Sequence, residues 1–362
     1  NAGVCNTKLI GAYDFVSGGT NGIGSFTVDP DGHGTHVSGT AVGNPVSTVF
    51  GANPIDISGV APRANLISYR GCGSTPTSRS CGANSGSALL AAINRAVADQ
   101  VDVINYSIGG DAFEPWETLG GSINSDTEAF LAAREAGIVV AVAAGADGPA
   151  PGSHGSPGNS PWVLGVASVT HNRSGAGDLL AESSGRGAVT PQGVLKPDLA
   201  APGVAIRAAD RTGNNIAQLS GTSMASPHVA GAAALIAAAR PSWNADQIVS
   251  ALMLTARADN IVELNGGAAS TPHGRGAGTI DLALAVNASL AFNVAAGAFR
   301  SAEASTAHTL NLPSLASGSC VDSCTLNRTV SVMPGAATAS AAPAPELSRA
   351  SASAATPSGN AP

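Results

Sequence analysis

The sequence predicts an α/β fold of three layers, a mainly parallel sheet with helices on both of its faces. Three observations carry this. From about Asn65 to Ala285, short apolar runs alternate with longer segments of helical period, the pattern of repeated strand–helix–strand units. Charged residues are 11% of the 362, aromatics are 4%, and glycine occurs 45 times. A soluble domain usually carries about 25% charged residues, so this core is built from Ala, Val, Ile and Leu with backbones in close approach. The third observation is that no apolar stretch reaches the roughly 18 residues of a membrane span.

The elements follow in order. Asn65–Tyr69 (NLISY) reads as a short strand. Ser87–Asp99 carries Leu89, Ile93 and Val97 at four-residue spacing, an amphipathic helix. Val101–Ser107 (VDVINYS) is a strand. Ser125 and Glu128 have the spacing of a capping box, opening a helix that Gly137 closes. Val139–Ala143 is the next strand, and Trp162–Ser168 (WVLGVAS) another. In such sheets the ligand crevice lies beyond the carboxyl ends of the strands, which puts Ser107–Gly110 and Gly145–Pro149 on the functional rim. After Asn287 the character changes. Thr309–Pro313 and Thr325–Val332 read as strands, and residues 333–362 are almost wholly Ala, Ser, Pro, Gly and Thr, a composition expected to be disordered.

Five cysteines are present. Cys72 with Cys81, and Cys320 with Cys324, form two local pairs that imply disulfides and an oxidising compartment. Zinc-ligand spacings are absent. Cys5 is left over, and its partner is expected in sequence beyond this chain. The chain starts at Asn1 with no signal-peptide pattern, as a processed product or a fragment would. A net charge of −7 without any Lys/Arg run argues against nucleic acid as a partner, and the lack of an apolar span argues against a membrane.

Two stretches place a reactive residue at a helix start made of small residues. In DGHGTHVSGTAVG (Asp31–Gly43), His33 opens a short helix. In SGTSMASPHVAGAAALIAAARPSW (Ser220–Trp243), Ser223 falls just before Pro227, a residue tolerated in a helix's first turn. The helix beyond is apolar on nearly all sides, as a buried central helix must be. Unpaired N–H groups at its start favour negative charge developing on a bound substrate. The plainer readings are an N-cap for Ser223, a structural His33 or a weak His33–His36 metal pair, and a packed or capping His228.

Together the two stretches resemble the histidine and serine motifs of subtilisin-like serine proteases, the subtilase family (peptidase family S8). YSIGG (Tyr106–Gly110), SPWVLGVAS (Ser160–Ser168) and KPDLAAPGV (Lys196–Val204) resemble its substrate-binding and later strands. CNTKLIGA and LNLPSLA (Leu310–Ala316) resemble its plant- and bacterial-type branch, which has a C-terminal fibronectin-III-like domain. The resemblance implies a three-layer subtilisin-like catalytic domain over 1–290 without its first, acid-bearing strand. The start of a fibronectin-III-like domain then covers 291–332, and the tail 333–362. It implies that Ser223 attacks a peptide carbonyl and that His33 takes and returns the proton. Ser107, Ile108 and Gly109 would pair with the substrate backbone, and Ala144 and Gly145 would line the first specificity pocket, with room for a large apolar side chain. Peptide or protein substrates are the implied partners, with a propeptide inhibitor as a further one. No redox or organic cofactor is implied. Calcium is common in the family, but the sequence offers no acid cluster to assign as its site.

The chain departs from the family pattern in three ways. The triad acid should end an apolar strand before His33. Asp14 in GAYDFVSG is the nearest candidate, with Asp29 and Asp31 in the turn before His33; the acid is expected upstream of Asn1 instead. The branch's inserted protease-associated domain is missing between Ser168 and Lys196. The family's oxyanion Asn is replaced by Ala146 in AAGADGP. Asp147 beside it cannot substitute, because a carboxylate accepts hydrogen bonds and repels an oxyanion.

The leading reading is a secreted serine endopeptidase. The alternative is a degenerate subtilase that binds peptides with weak or no hydrolysis, and a third is an acyl hydrolase of another substrate class.

Overall fold

The computed structural model describes residues 5–17, 29–50, 52–73, 81, 85–117, 119, 125–173, 177–188, 193–213, 215–259, 261–264, 267–295, 297–318, 320 and 322–335. The chain opens with strand β1 (Leu9–Asp14), helix α1 (His33–Val42), the hairpin of β2 (Val46–Phe50) and β3 (Asn53–Ile57), and β4 (Leu66–Arg70). Helix α2 (Ser85–Ala98) leads to β5 (Val103–Tyr106), α3 (Ser125–Glu135) to β6 (Val139–Ala143), and a turn to β7 (Leu164–Val169). Then come β8 (Leu179–Leu180), β9 (Leu199–Pro202) and the hairpin of β10 (Ile206–Ala209) and β11 (Ile216–Leu219). Helices α4 (Thr222–Ala239) and α5 (Ala245–Leu254) precede the short strands β12 (Val262–Glu263), β13 (Leu290–Ala291) and β14 (Ser331–Val332).

Strands β5, β6, β7 and β9 run parallel, with β8 antiparallel on β7 and β12 parallel on β8. Strand β6 shows why the domain has three layers. All five of its residues, VVAVA, are buried, because alternate side chains enter opposite cores. Val139 and Ala141 pack with Val229, Ala233 and Ile236 of α4, and with Ile248 and Leu252 of α5. Val140 and Val142 pack on the other side with Ile93 of α2 and Phe130 of α3. Helix α4 is buried along most of its length, which suits a helix with no polar stripe.

The strands expected at Leu66–Tyr69, Val103–Tyr106 and Val139–Ala143 are present, as are the helices from Ser85 and Ser125. The capping-box expectation rests on the Ser125 side chain, which lies outside those described; Glu128 sits 3.6 Å from Arg300. Gly137 follows α3 with φ +85°, the left-handed conformation that ends a helix at little cost for glycine. The strand expected from Trp162 starts at Leu164 instead. Trp162 is held in the preceding turn, where its indole N–H donates to the Thr127 carbonyl at 2.9 Å.

The C-terminal expectations need correction. Thr309–Pro313 forms no strand; Ala304–Thr309 is a 3-10 helix. Of Thr325–Val332 only Ser331–Val332 pairs, with β13. The backbone here is held by side chains instead: the Arg328 guanidinium donates to the carbonyls of His308, Leu312 and Ser314. Ala291, Phe299, Leu310 and Met333 belong to the two main cores. Met333 is 2% exposed, so the low-complexity composition begins on an anchored residue. Residues 336–362, expected to be disordered, lie outside those described.

Both expected disulfides form, Cys72–Cys81 and Cys320–Cys324. Cys5 is free among the described residues. No helix among those residues is long and apolar enough to cross a membrane.

Candidate active site

The carboxyl ends of β5 and β6 meet the start of α4 at one rim. Ser223 is the second residue of α4, one turn before Pro227. Pro227 therefore lies inside the helix, not in its first turn, and having no N–H it leaves the Ser223 carbonyl without its helical partner. Ser107 takes that vacancy: its hydroxyl donates to the Ser223 carbonyl at 2.8 Å. In return the Ser223 hydroxyl donates to the Ser107 carbonyl at 3.3 Å. Asn105 backs the pair. Its amide donates to the Ser107 hydroxyl at 3.1 Å, and its carbonyl oxygen accepts from Ser226 at 2.8 Å. A further bond, from the Thr222 hydroxyl to the Gly145 carbonyl at 3.0 Å, joins the start of α4 to the end of β6.

Pattern reading singled out Ser107 and Ser223 but missed Asn105, Thr222 and Ser226. The available signal was spacing: Asn105 in β5 and Ser107 just past its end are two residues apart, the spacing of one strand face, and Ser226 lies one helical turn after Ser223.

His33 opens α1, as expected. Its backbone N–H donates to Asp31 at 2.8 Å. Asp29 accepts from the N–H groups of Asp31, Gly32 and Thr35 and from the Thr35 hydroxyl. Burial alone would raise the Asp29 pKa, but these bonds outweigh it and hold the carboxylate below its ordinary range. Gly32 between them has φ +89°, a conformation that strains any residue with a Cβ. Asp14 closes the turn after β1. It accepts from Val16 and Ser17 N–H, the Ser17 hydroxyl and Arg70 at 2.6–3.1 Å. Its pKa is also lowered, the same donors outweighing burial. All three acids thus serve local turns.

His33, Asp14, Ser223, Ser107–Gly110, Gly145, Ala146 and Asp147 line one continuous cleft. Among the described residues, none hydrogen-bonds to the backbone of Ile108 or Gly109. The carbonyls of Ala144 and Gly145 are taken by Gly155 and Gly185 at 3.1 Å each, which fixes this wall against the layer behind it. Gly145 has φ +99°. Ala146 and Asp147 are exposed on the rim, and Ala146 has no side-chain donor to offer there. His36 is fully buried with Nε2 3.1 Å from the Ile206 carbonyl, so its ring is committed away from His33. The His228 ring is 2.8 Å from the Met224 carbonyl, one turn back on its own helix. Burial lowers both rings' pKa. Among the described residues, no group of three or more His, Cys, Asp or Glu side chains is placed to hold a metal ion.

Beneath the wall lies a second polar cluster that pattern reading missed. Lys196 is fully buried and donates to Asp198 at 2.6 Å and to the Val163 carbonyl at 2.8 Å. Asp198 also accepts from the Gly165 N–H at 2.6 Å. His154, equally buried, follows Ser153 at the back of the wall; its N–H donates to the Arg186 carbonyl at 2.9 Å.

Comparison with known proteins matches this arrangement. A model of the subtilase family, Peptidase S8, matches residues 13–278. Subtilisin DY of Bacillus licheniformis is 34% identical over 251 residues, covering 69% of this chain and 77% of that protein. Subtilisin-like protease SBT4.10 of Arabidopsis thaliana is 28% identical over 80% of this chain. The chain spans only about half of that relative's length, 53%. Among solved structures, the S41 psychrophilic protease superimposes with a TM-score of 0.58 at 30% identity, covering 74% of this chain and 83% of its own. Sphericase gives 0.57 at 28%, covering 75% and 84%. A parallel sheet between helical layers, with His33 and Ser223 at two helix starts on one cleft, and a family match over residues 13–278 lead to one conclusion: the chain belongs to the subtilase family.

Proposed function

We propose that this chain carries the catalytic unit of a secreted serine endopeptidase. One observation carries the reading: Ser223 stands on the first turn of the buried helix α4, its backbone tied to Ser107, in the same cleft as His33. Ser223 attacks the peptide carbonyl, His33 receives its proton and passes it to the leaving amine, and water then releases the acyl group. The free backbone of Ile108 and Gly109 suits a substrate segment added as a strand. Gly145, which lines the cleft without a side chain, leaves room for a large apolar side chain at the cleaved position, while the expected Ala144 is fully buried behind it. Two disulfides support an oxidising, extracellular setting. Asp29 and Asp31 are engaged in the turn before His33, and Asp14 in the turn after β1 and with Arg70.

Ala146 favours a second reading, a subtilase that binds peptides and hydrolyses them slowly. The Ser223 N–H remains as an oxyanion donor, but the side-chain donor is missing. In subtilisin, a member of the same family, that donor is worth about 10²–10³-fold in turnover, and the magnitude is taken over from there.

A fluorophosphonate probe tests the first reading. Labelling at Ser223 supports it, and an inert Ser223 overturns it. Cleavage of a peptide panel should favour large apolar residues; preference for Asp or Lys removes the pocket assignment. Ala146→Asn should raise turnover by about 10²–10³-fold, and an unchanged rate would show that Ala146 is not the oxyanion position.

A further inference from the structure

The rim segment Ser107–Gly110 runs on into a loop that the layer behind it holds firmly. Gly110 donates its N–H to the Ser156 carbonyl at 3.0 Å, and the Asp111 carbonyl accepts from the Ser156 N–H at 3.4 Å. Two residues further, Phe113 is held at both of its backbone groups. Its N–H donates to the Ser156 hydroxyl at 2.9 Å, and its carbonyl accepts from the Asn159 amide at 2.6 Å. The Ser156 hydroxyl donates in turn to the Asn159 side-chain carbonyl at 2.9 Å. Ser156 and Asn159 are buried, 6% and 1% exposed.

The Phe113 side chain does the opposite of its backbone: it is 39% exposed. A single exposed apolar side chain is ordinary on a protein surface. This one differs because two buried polar side chains fix the backbone that carries it, so the loop cannot turn to hide the ring. Among the described residues, no other aromatic ring packs with it. Its neighbours Asp111 and Ala112 are exposed as well.

Backbone alternation relates the ring to the cleft. Gly110 spends its N–H on Ser156, so Gly109, one residue back, presents its own groups the opposite way, toward the cleft. Ser107 is bonded to Ser223, which sets the attacked carbonyl beside it. Take the residue that owns this carbonyl as the first and count back along an antiparallel substrate strand. The third residue then lies opposite Gly109 and the fifth opposite Asp111. Phe113 is two residues beyond, about 7 Å along an extended chain, a separation that two facing aromatic side chains can close.

We propose that Phe113 is a specificity residue, an aromatic platform for a large aromatic side chain of the substrate about five residues back from the cleaved bond. The proposal rests on the peptidase reading of Ser107 and Ser223, and it adds a contact beyond the first pocket. The test measures binding by isothermal titration calorimetry, which needs no turnover. Acetyl-Gly-Phe-Ala-Ala-Ala-Leu-amide, with Leu first and Phe fifth, should bind the full chain about tenfold more tightly than the same peptide with Ala in place of Phe. Phe113→Ala should abolish that ratio, and Phe113→Trp should keep it. The proposal is overturned if no peptide binds, if Phe113→Ala keeps the ratio, or if Phe113→Trp loses it. It is also overturned if the gain appears only when the aromatic residue is moved to the far side of Leu. Fluorophosphonate labelling of the same samples reports separately on the catalytic reading. Labelling without the ratio removes the platform alone, and the ratio without labelling removes the hydrolytic step alone.

Discussion

His154 makes the stability of the pocket wall depend on pH. The residue is fully buried, and among the described residues its Nε2 has no hydrogen-bond partner. Its ring packs where Gly158 and Gly165 have no side chains; a Cβ on either would come within 2.8 or 2.6 Å of it. Burial, and then the nearby Lys196 ammonium, lower its pKa from the ordinary 6.5 to about 3. Between those values the unfolded chain binds a proton that the folded chain refuses. Stability from this residue is therefore complete above about pH 6.5 and is lost progressively as pH falls toward 3. The slope approaches about 1.4 kcal/mol per pH unit, so some 2.7 kcal/mol is gone at pH 4.5. For a domain of this size that is a drop in Tm of roughly 4 °C. Replacing the ring with a group that does not titrate, His154→Gln, should remove this part of the slope. The assay is denaturant unfolding at half-unit steps from pH 7.5 to 4, comparing the native chain with the variant. Subtracting the two cancels His36, His228 and His273, whose pKa values are also lowered by burial. Parallel curves for the two proteins would refute the reasoning.

Three further outcomes follow from the same geometry. Lys196→Met should destabilise the fold by about 3–5 kcal/mol by stranding the buried Asp198 charge, and adding Asp198→Leu should recover much of the loss in thermal unfolding. Gly145→Ala, at φ +99°, should cost about 1–3 kcal/mol in backbone strain, seen as a lowered midpoint in urea without a change in slope. Ser107→Ala removes the hydroxyl held to the Ser223 carbonyl; fluorophosphonate labelling should slow by about tenfold for a loss near 1.4 kcal/mol, while circular dichroism stays unchanged.

The sequence carried the repeating parts of this fold well. Val139–Ala143 could be read to its ends, because a strand buried on both faces must be continuously apolar, and the left-handed glycine at 137 closes the helix before it. His33 and Ser223 were legible because helix starts of small residues are unusual and the two motifs are long. The hold on Ser223 was not. Asn105, Ser107, Thr222 and Ser226 converge from two elements more than a hundred residues apart, and each alone is an ordinary polar residue at a strand or helix end. The C-terminal segment misled for a related reason: TLNRTVSV alternates as a strand does, but a strand also needs an edge to join, and only its last two residues reach β13. Nothing in the stretch KPDLAAPGV marks Lys196 and Asp198 as a charge pair within the core; their burial reveals it.

Pro227 acts as a selector of partners. A residue with an N–H at that position would bond back to the Ser223 carbonyl and compete with the Ser107 hydroxyl for it. By withholding a donor, the proline turns a carbonyl normally consumed inside a helix into an external socket, and β5 plugs into it. The helix gives up one internal bond and in exchange has its orientation set against the sheet, at Ser223.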